Sequence, residues 1–300
     1  MATTVGQLLR DAAARLAKSG SDTPRLDSEV LLGHVLHVDR ATLLAGPEAG
    51  VGSEAAAEFE RLVERRASGE PVSYVRGMKE FYGLVLSVDT RALIPRPETE
   101  TLVDLALQRI TTMLTSAPRD EGALLTIWDV GTGSGAIAVA VAVESRRRGY
   151  AHDIRLRATD VSTDALTLAI ENAVVHGVAD MIDFATADLT DVPGGVPVDL
   201  LLANLPYIPS DVVPTLPVAA SFEPRSALDG GADGLDLVRA LIERLPSALR
   251  PQGSALLEIG ADQGDAVLEA ATSLGDGWRS VVHDDLAGRP RVLEIDSLGG

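Results

Sequence analysis

The chain has 300 residues, 46% hydrophobic and 23% charged, which is the composition of a soluble globular protein with one large domain or two ordinary ones. A formal net charge of −18 opposes a protein that grips long stretches of phosphate backbone, and no strong nucleic-acid binding is expected. The absence of cysteine excludes disulfides, thiolate metal sites and a cysteine nucleophile, and His34, His37, His152, His176 and His283 lack metalloprotease spacing, so no metal is expected. No basic stretch leads into an apolar run at the N-terminus, and the longest apolar run, residues 136–143, is far short of a membrane span; the expectation is a cytoplasmic protein without membrane contact.

Residues 3–18 place Val5, Leu8, Leu9, Ala12 and Leu16 on one helical face. Thr23 before Pro24 reads as the cap and first position of a second helix, and Asp39 and Ser53 are candidate caps for two more. Residues 1–70 therefore predict an all-α domain without strand-like alternation, either a packing module or a recognition domain for a macromolecule. From Tyr74 to Val88 the pattern turns β-like, and residues 71–92 predict a hairpin linker. Residues 93–300 form the third region. Pro97, with Glu98 and Glu100 behind it, starts a helix running to about Met113, and residues 115–123 read as a solvent loop.

The next stretch reads as strand 125–130, the glycine turn Gly131-Thr132-Gly133-Ser134-Gly135, and the apolar helix from Ala136. Glycines let the backbone turn sharply and approach a ligand, and free amides at the helix start suit a polar group. The loose dinucleotide pattern fits the same residues, but a P-loop is excluded because no Lys-Ser/Thr follows. Arg146-Arg147-Arg148 at the helix end complements the dipole or forms a partner patch. Strand 156–160 ends at Asp160, whose carboxylate can accept ribose hydroxyls or cap the following helix. Strand 182–187 ends at Asp188, placed to accept from an adenine amino group. A fourth strand, residues 200–203, runs into Asn204-Leu205-Pro206-Tyr207. Pro206 biases Leu205 away from the helical region, so the Asn204 side-chain oxygen and the Leu205 carbonyl can point at one spot beside the Tyr207 ring. Two acceptors and a ring describe a cradle for a planar NH2 group; an ordinary Asn-Pro turn is the alternative. Residues 210–218 predict a loop over the site, residues 235–249 a helix, Pro251-Gln252-Gly253 a turn, and residues 255–259 a strand. Residues 281–283 and 291–295 predict an antiparallel pair at the sheet edge, and Leu298-Gly299-Gly300 a frayed terminus.

The glycine loop, Asp160 and Asn204 to Tyr207 resemble the motifs of S-adenosylmethionine-dependent amino methyltransferases. More specific matches are Gly69-Glu70-Pro71, Glu80-Phe81-Tyr82-Gly83, residues 94–100, Glu223-Pro224-Arg225, Asp229-Gly230-Gly231, Asp233-Gly234-Leu235, Glu258-Ile259-Gly260 and residues 285–288. Over nearly the whole chain these resemble the protein-(glutamine-N5) methyltransferases that modify the Gly-Gly-Gln loop of peptide chain release factors. The resemblance implies an α/β fold: a Rossmann-like, seven-stranded, mostly parallel sheet of the class I methyltransferases, preceded by a small all-α domain. It implies S-adenosylmethionine as cofactor, held by Asp129, Gly131, Thr132, Gly133, Ser134, Gly135, Asp160, Asp188, Leu189 and Asn204, and release factors as protein substrates. Catalysis falls to Asn204, Leu205, Pro206 and Tyr207, with Phe81, Arg96 and Glu98 added at the substrate; Phe81 fits a plain core position equally well. One departure stands out, Leu205 where that family has proline. Asn-Leu-Pro-Tyr also resembles the motif of ribosomal RNA adenine-N6 methyltransferases, so another amino target, that base or a ribosomal protein glutamine, stays open. A nicotinamide-dependent dehydrogenase shares the glycine loop but leaves the cradle unexplained, and a non-catalytic binding module follows if Leu205 marks a decayed site.

Overall fold

The computed structural model describes residues 3–116, 123–192 and 196–299. Most of the loop expected over residues 115–123, and Gly300 of the expected frayed end, lie outside them. Contacts divide the chain into two units, Met1–Met78 with Leu216–Phe222, and Lys79–Thr215 with Glu223–Gly300.

The first unit is helical: α1 (Val5–Lys18), α2 (Pro24–Leu36), α3 (Arg40–Ala45), α4 (Ser53–Ala67) and α5 (Val72–Arg76). Val5, Leu8, Ala12 and Leu16 of α1 bury one stripe against Leu31 and Leu32 of α2 and Phe59, Leu62 and Val63 of α4, as the helical spacing predicts. Thr4 caps α1 and Asp39 caps α3 through side-chain oxygens. Thr23 holds the cap position of α2 with Pro24 after it, as expected, although its hydroxyl donates to Asp27 Oδ1 and not to the helix backbone. Two expectations need correcting. Gly52, not Ser53, holds the cap position of α4. Tyr74 lies in α5, where a β pattern was expected. Two strands of two residues each, β1 (Thr3–Thr4) and β2 (Gly50–Val51), pair antiparallel; they are too short to show alternation in the sequence.

The second unit begins at Lys79, within β3 (Met78–Phe81), which makes a hairpin with β4 (Leu84–Ser87) through Tyr82 and Gly83, both at positive φ. The left-handed backbone at Tyr82 is offset by two bonds: its N–H donates to Glu100 and its hydroxyl to Asp104, at 2.8 and 2.5 Å. The remaining elements are α6 (Glu100–Thr115), β5 (Leu125–Val130), α7 (Ala136–Arg147), β6 (Ile154–Asp160), α8 (Thr163–Val175), β7 (Ile182–Thr186), β8 (Val198–Ala203), α9 (Asp236–Ala248), β9 (Leu249–Glu258), α10 (Gly264–Ala271), β10 (Trp278–Asp284) and β11 (Pro290–Ser297). Among the described residues they form a seven-stranded sheet in the order β10-β11-β9-β8-β5-β6-β7, parallel except at β10 and β11.

The apolar run of β8 is explained by burial on both faces. Leu200 and Leu202 join one core with α6 and α7, whereas Leu201 and Ala203 join another with α9 and α10. Pro251 to Gly253, expected as a turn before a strand, lies inside β9, where the pairing with β8 slips its register between Val198 and Leu200. Arg146 and Arg147 stand in the last turn of α7, as the dipole reading expects, and the exposed Arg146 also donates to the carbonyls of His176 and Gly177 just after α8. Strand order reverses between β5 and β8: the chain builds outward from β5 to β7, then returns to the other side of β5. Open α/β sheets hold ligands in the crevice at the carboxyl ends beside such a reversal. No helix among the described residues is long and apolar enough to cross a membrane.

Candidate active site

A cleft opens where that reversal predicts. Its floor is Val130 to Ser134, at the end of β5, and Asp160 to Ser162, at the end of β6. Ala187 to Leu189 follow β7 and Asn204 to Pro206 follow β8; residues 91–93, Pro95, Arg96 and Thr99 close it with Pro224, Ser226 and Ala227. Four successive strand ends therefore face one space.

The glycine loop is shaped by what lies beneath it. Asp129 is fully buried, accepts from the Thr132 hydroxyl at 2.6 Å and from the Ala138 N–H at 3.2 Å, and is absent from the cleft wall. Burial pushes its carboxyl up to about 7 against those two donors. Gly135 also lies off the cleft wall: a Cβ there would sit 3.0 Å from Ala169 Cβ, so this glycine lets α7 approach α8. Asp129 and Gly135 thus support the loop from below, while Gly131, Thr132, Gly133 and Ser134 line the cleft. Asp160 accepts from the Gly133 and Ser162 N–H groups, each at 2.9 Å, which clamps the loop to the end of β6. Burial raises its pKa, and the same backbone donors draw it down. Ser162 supplies the cap of α8, the alternative considered for Asp160. Asp188 and Leu189 line the wall after β7, Leu189 at a φ of 50°.

The Asn204 side chain donates through Nδ2 to Thr99 Oγ1 at 3.1 Å. Its Oδ1 and the Leu205 carbonyl accept no hydrogen bond from any described residue. Leu205 is 6% exposed; a Cβ on Gly131 would stand 3.0 Å from its Cδ2, so the side chain fills the space under the glycine loop. Tyr207 faces a neighbouring recess with Ile208, Pro209, Gln263 and Arg291 and does not line the cleft, and its hydroxyl donates to Glu258 at 3.4 Å. Burial, then the negative charge of Glu258, pushes that phenol up to about 12.

The cradle backbone is braced from behind. Ile208 N–H donates to the Leu228 carbonyl, Gly230 N–H to the Ile208 carbonyl, and Gln263 Nε2 to the Tyr207 carbonyl. A Cβ on Gly230 would meet the Pro206 carbonyl at 2.5 Å, and one on Gly234 the Tyr207 carbonyl at 2.2 Å. The two glycine-containing motifs after the cradle thus allow main chain to pack on main chain, a role no single-residue reading of them supplied. Thr99, Gln263 and Glu258 were missed as site residues for a related reason: each acts through a partner distant in sequence.

Of the residues expected at the substrate, Arg96 lies on the cleft wall and pairs with Glu223 at 2.6 Å; Glu223 also accepts from the Ile94 N–H, tying residues 94–96 to the Glu223-Pro224-Arg225 motif. Phe81 is a correction. It is 1% exposed and sits in the core with α6, as apolar packing of the hairpin requires. Glu98 is exposed and off the cleft wall, and residues 210–218, expected over the site, contribute nothing to that wall. Ser210 is tied instead to Asp229 and the Gly231 carbonyl.

Residues 7–77 match the model described as "PrmC N-terminal domain", and residues 113–210 the one described as "RMKL-like, methyltransferase domain". The chain is 42% identical over 97% of both lengths to a release factor glutamine methyltransferase from Moorella thermoacetica. It is 36% identical over 98% of both lengths to another from Deinococcus radiodurans. The chain belongs to the release factor glutamine methyltransferase family. Its fold is also that of the hMettl16 catalytic domain, with a TM-score of 0.55 at 15% identity over 85% of this chain and 86% of that one. In this member of the release factor glutamine methyltransferases, the glycine loop and the Asn204 cradle share one cleft, and leucine occupies the second cradle position.

Proposed function

We infer that the protein transfers a methyl group from S-adenosylmethionine to the side-chain amide nitrogen, N5, of the glutamine in the Gly-Gly-Gln motif of peptide chain release factors. The observation that carries this reading is the pair of acceptors without partners among the described residues, Asn204 Oδ1 and the Leu205 carbonyl, at a strand end in the same cleft as the glycine loop. The cleft fits the cofactor. Gly131 and Gly133 put no side chain into the cleft, and Asp160, held by two backbone donors, retains lone pairs for ribose hydroxyls. Asp188 suits an adenine amino group.

Bound there, S-adenosylmethionine supplies an electrophilic sulfonium methyl. A glutamine amide nitrogen is a poor nucleophile because its lone pair is delocalised into the carbonyl. Asn204 Oδ1 and the Leu205 carbonyl accept its two N–H bonds, fix its direction in the cleft and stabilise positive charge developing on it. Pro206, on the cleft wall, packs on the amide plane and shields it from water. The nitrogen sheds its extra proton once it is cationic, so no dedicated base is required. Arg96 and Glu223 hold the loop of residues 94–96 at the substrate side.

The test is methyl transfer from labelled S-adenosylmethionine to a purified release factor and to one whose Gly-Gly-Gln glutamine is replaced. Label on the unaltered factor alone, abolished by Asn204→Ala with cofactor binding retained, is the expected result. Label on both factors, or none on either, would overturn the assigned target.

A further inference from the structure

Glu258 is a buried acid beside the cradle that the reaction above does not use. It ends β9, is 1% exposed, and follows Leu257, which pairs with Ala203, the residue before Asn204. Its Oε1 receives the Tyr207 hydroxyl at 3.4 Å, and its Oε2 has no hydrogen-bond partner among the described residues. Such an unpaired oxygen in the interior calls for an explanation. Thr99, itself 3% exposed, touches this carboxyl. Thr99 Oγ1 already accepts from Asn204 Nδ2, so its only proton is left to give, and its contact with Glu258, though not a well-formed hydrogen bond, draws the carboxyl's pKa down.

We propose that Glu258 is a positioning residue whose proton sets the direction of the hydrogen-bond chain Glu258–Thr99–Asn204, and through it which end of the Asn204 amide faces the substrate. As a carboxylate, Glu258 accepts from Thr99, Thr99 accepts from Asn204 Nδ2, and Asn204 Oδ1 is turned to the cleft. As an acid, Glu258 donates to Thr99, the hydroxyl turns to donate to Asn204 Oδ1, and the amide presents its own NH2. Two NH2 groups then face each other, and the cradle loses one of its two acceptors. No bond is made or broken in this step beyond the ionisation of Glu258.

The surroundings make that ionisation accessible near neutrality. Burial raises the carboxyl to about 7; Thr99, Arg291 of β11 and the Tyr207 hydroxyl pull it down, and Glu98 pushes it up. Arg291 lies 3.5 Å from Asp285, which shares its charge, and Arg96 faces Tyr207. The proposal rests on methyl transfer to an amino group, and the tests separate it from that reading. Single-turnover transfer at saturating cofactor should fall about ten-fold per pH unit below the ionisation in the native protein. It should be independent of pH in Glu258→Gln. Thr99→Val should lose transfer at every pH without change in cofactor affinity, and Thr99→Ser should restore it. Independently of turnover, the Asn204 side-chain NH2 signal in a 15N-correlated NMR spectrum, assigned by its loss in Asn204→Ala, should titrate in the native protein and stay still in Glu258→Gln and Thr99→Val. A static signal in the native protein, or an unchanged acid limb in Glu258→Gln, would overturn the relay.

Discussion

Leu205 buries its side chain beneath the glycine loop, so this residue has two separable duties. Its carbonyl belongs to the cradle, and its side chain belongs to the core with Trp128, Val130 and Leu235. Leu205→Ala keeps the carbonyl and removes the packing under Gly131. It should cost about 2–4 kcal/mol of stability by urea denaturation and weaken cofactor binding more than the rate at saturating cofactor. A variant with native stability and affinity would show that the side chain is dispensable. The proposed roles of Asn204 and Leu205 could be read from the sequence because the two acceptors are consecutive residues at a strand end. Those of Thr99 and Glu258 could not, since their relation to Asn204 is made by sheet register and by the approach of the turn before α6.

At the scale of elements, the cradle is a short segment pressed between strand β8 and the turn around residues 228–234. Gly230 is the contact point, with space for no side chain against the Pro206 carbonyl. Gly230→Ala should displace the Leu205 carbonyl and lower methyl transfer by about ten-fold to a hundred-fold, since small misplacements of positioning groups are costly. Binding at the glycine loop, on separate strands, should change little. Isothermal titration with the cofactor beside a rate measurement tests this, and equal losses in both would mean that the defect spreads through the fold. Strands and helices were mostly read correctly in type, because apolar runs ending at polar residues in the sheet, spacing in α1 and the proline-acid start of the helix after Pro97 are local signals. The helical turn at Tyr74, the bulge in β9 and the caps at Gly52 and Ser162 were missed or left open because each depends on backbone geometry that several residue types allow.

For the whole molecule, two buried acids and a large negative charge act in the same direction. Asp129 and Glu258 have pKa values raised to about 7, so folding takes up protons at both. Their contribution to stability is present in full below about pH 4 and is lost as pH rises to about 7, an effect of up to ~3 kcal/mol each. Acids with lowered values, such as Asp233, held near about 2 by Arg239, work the other way and are lost only in stronger acid. Stability should therefore peak at weakly acidic pH. The urea midpoint should be higher near pH 5.5 than near pH 8, and Asp129→Asn should reduce the difference. High salt screens the repulsion from the net charge of −18 but not the buried acids, so the difference should shrink in salt without vanishing. A midpoint that is flat across this range in high salt would contradict the burial of these charges.

The sequence by itself determined the class of fold, the strand-loop-helix unit around Gly131, the acids at successive strand ends and the cradle at Asn204. Each is a local pattern, written in hydrophobic period and in short runs whose chemistry is complete within a few residues. Tertiary structure decided which of the named residues meet. It placed Asp129 and Gly135 under the loop and Phe81 in the core, faced Tyr207 toward the neighbouring recess, and brought Thr99 and Glu258 to Asn204 across 105 and 54 positions of chain. Periodicity reports which face of an element is buried, whereas the partner of a polar atom is fixed by the pairing of strands and the packing of turns far apart in sequence.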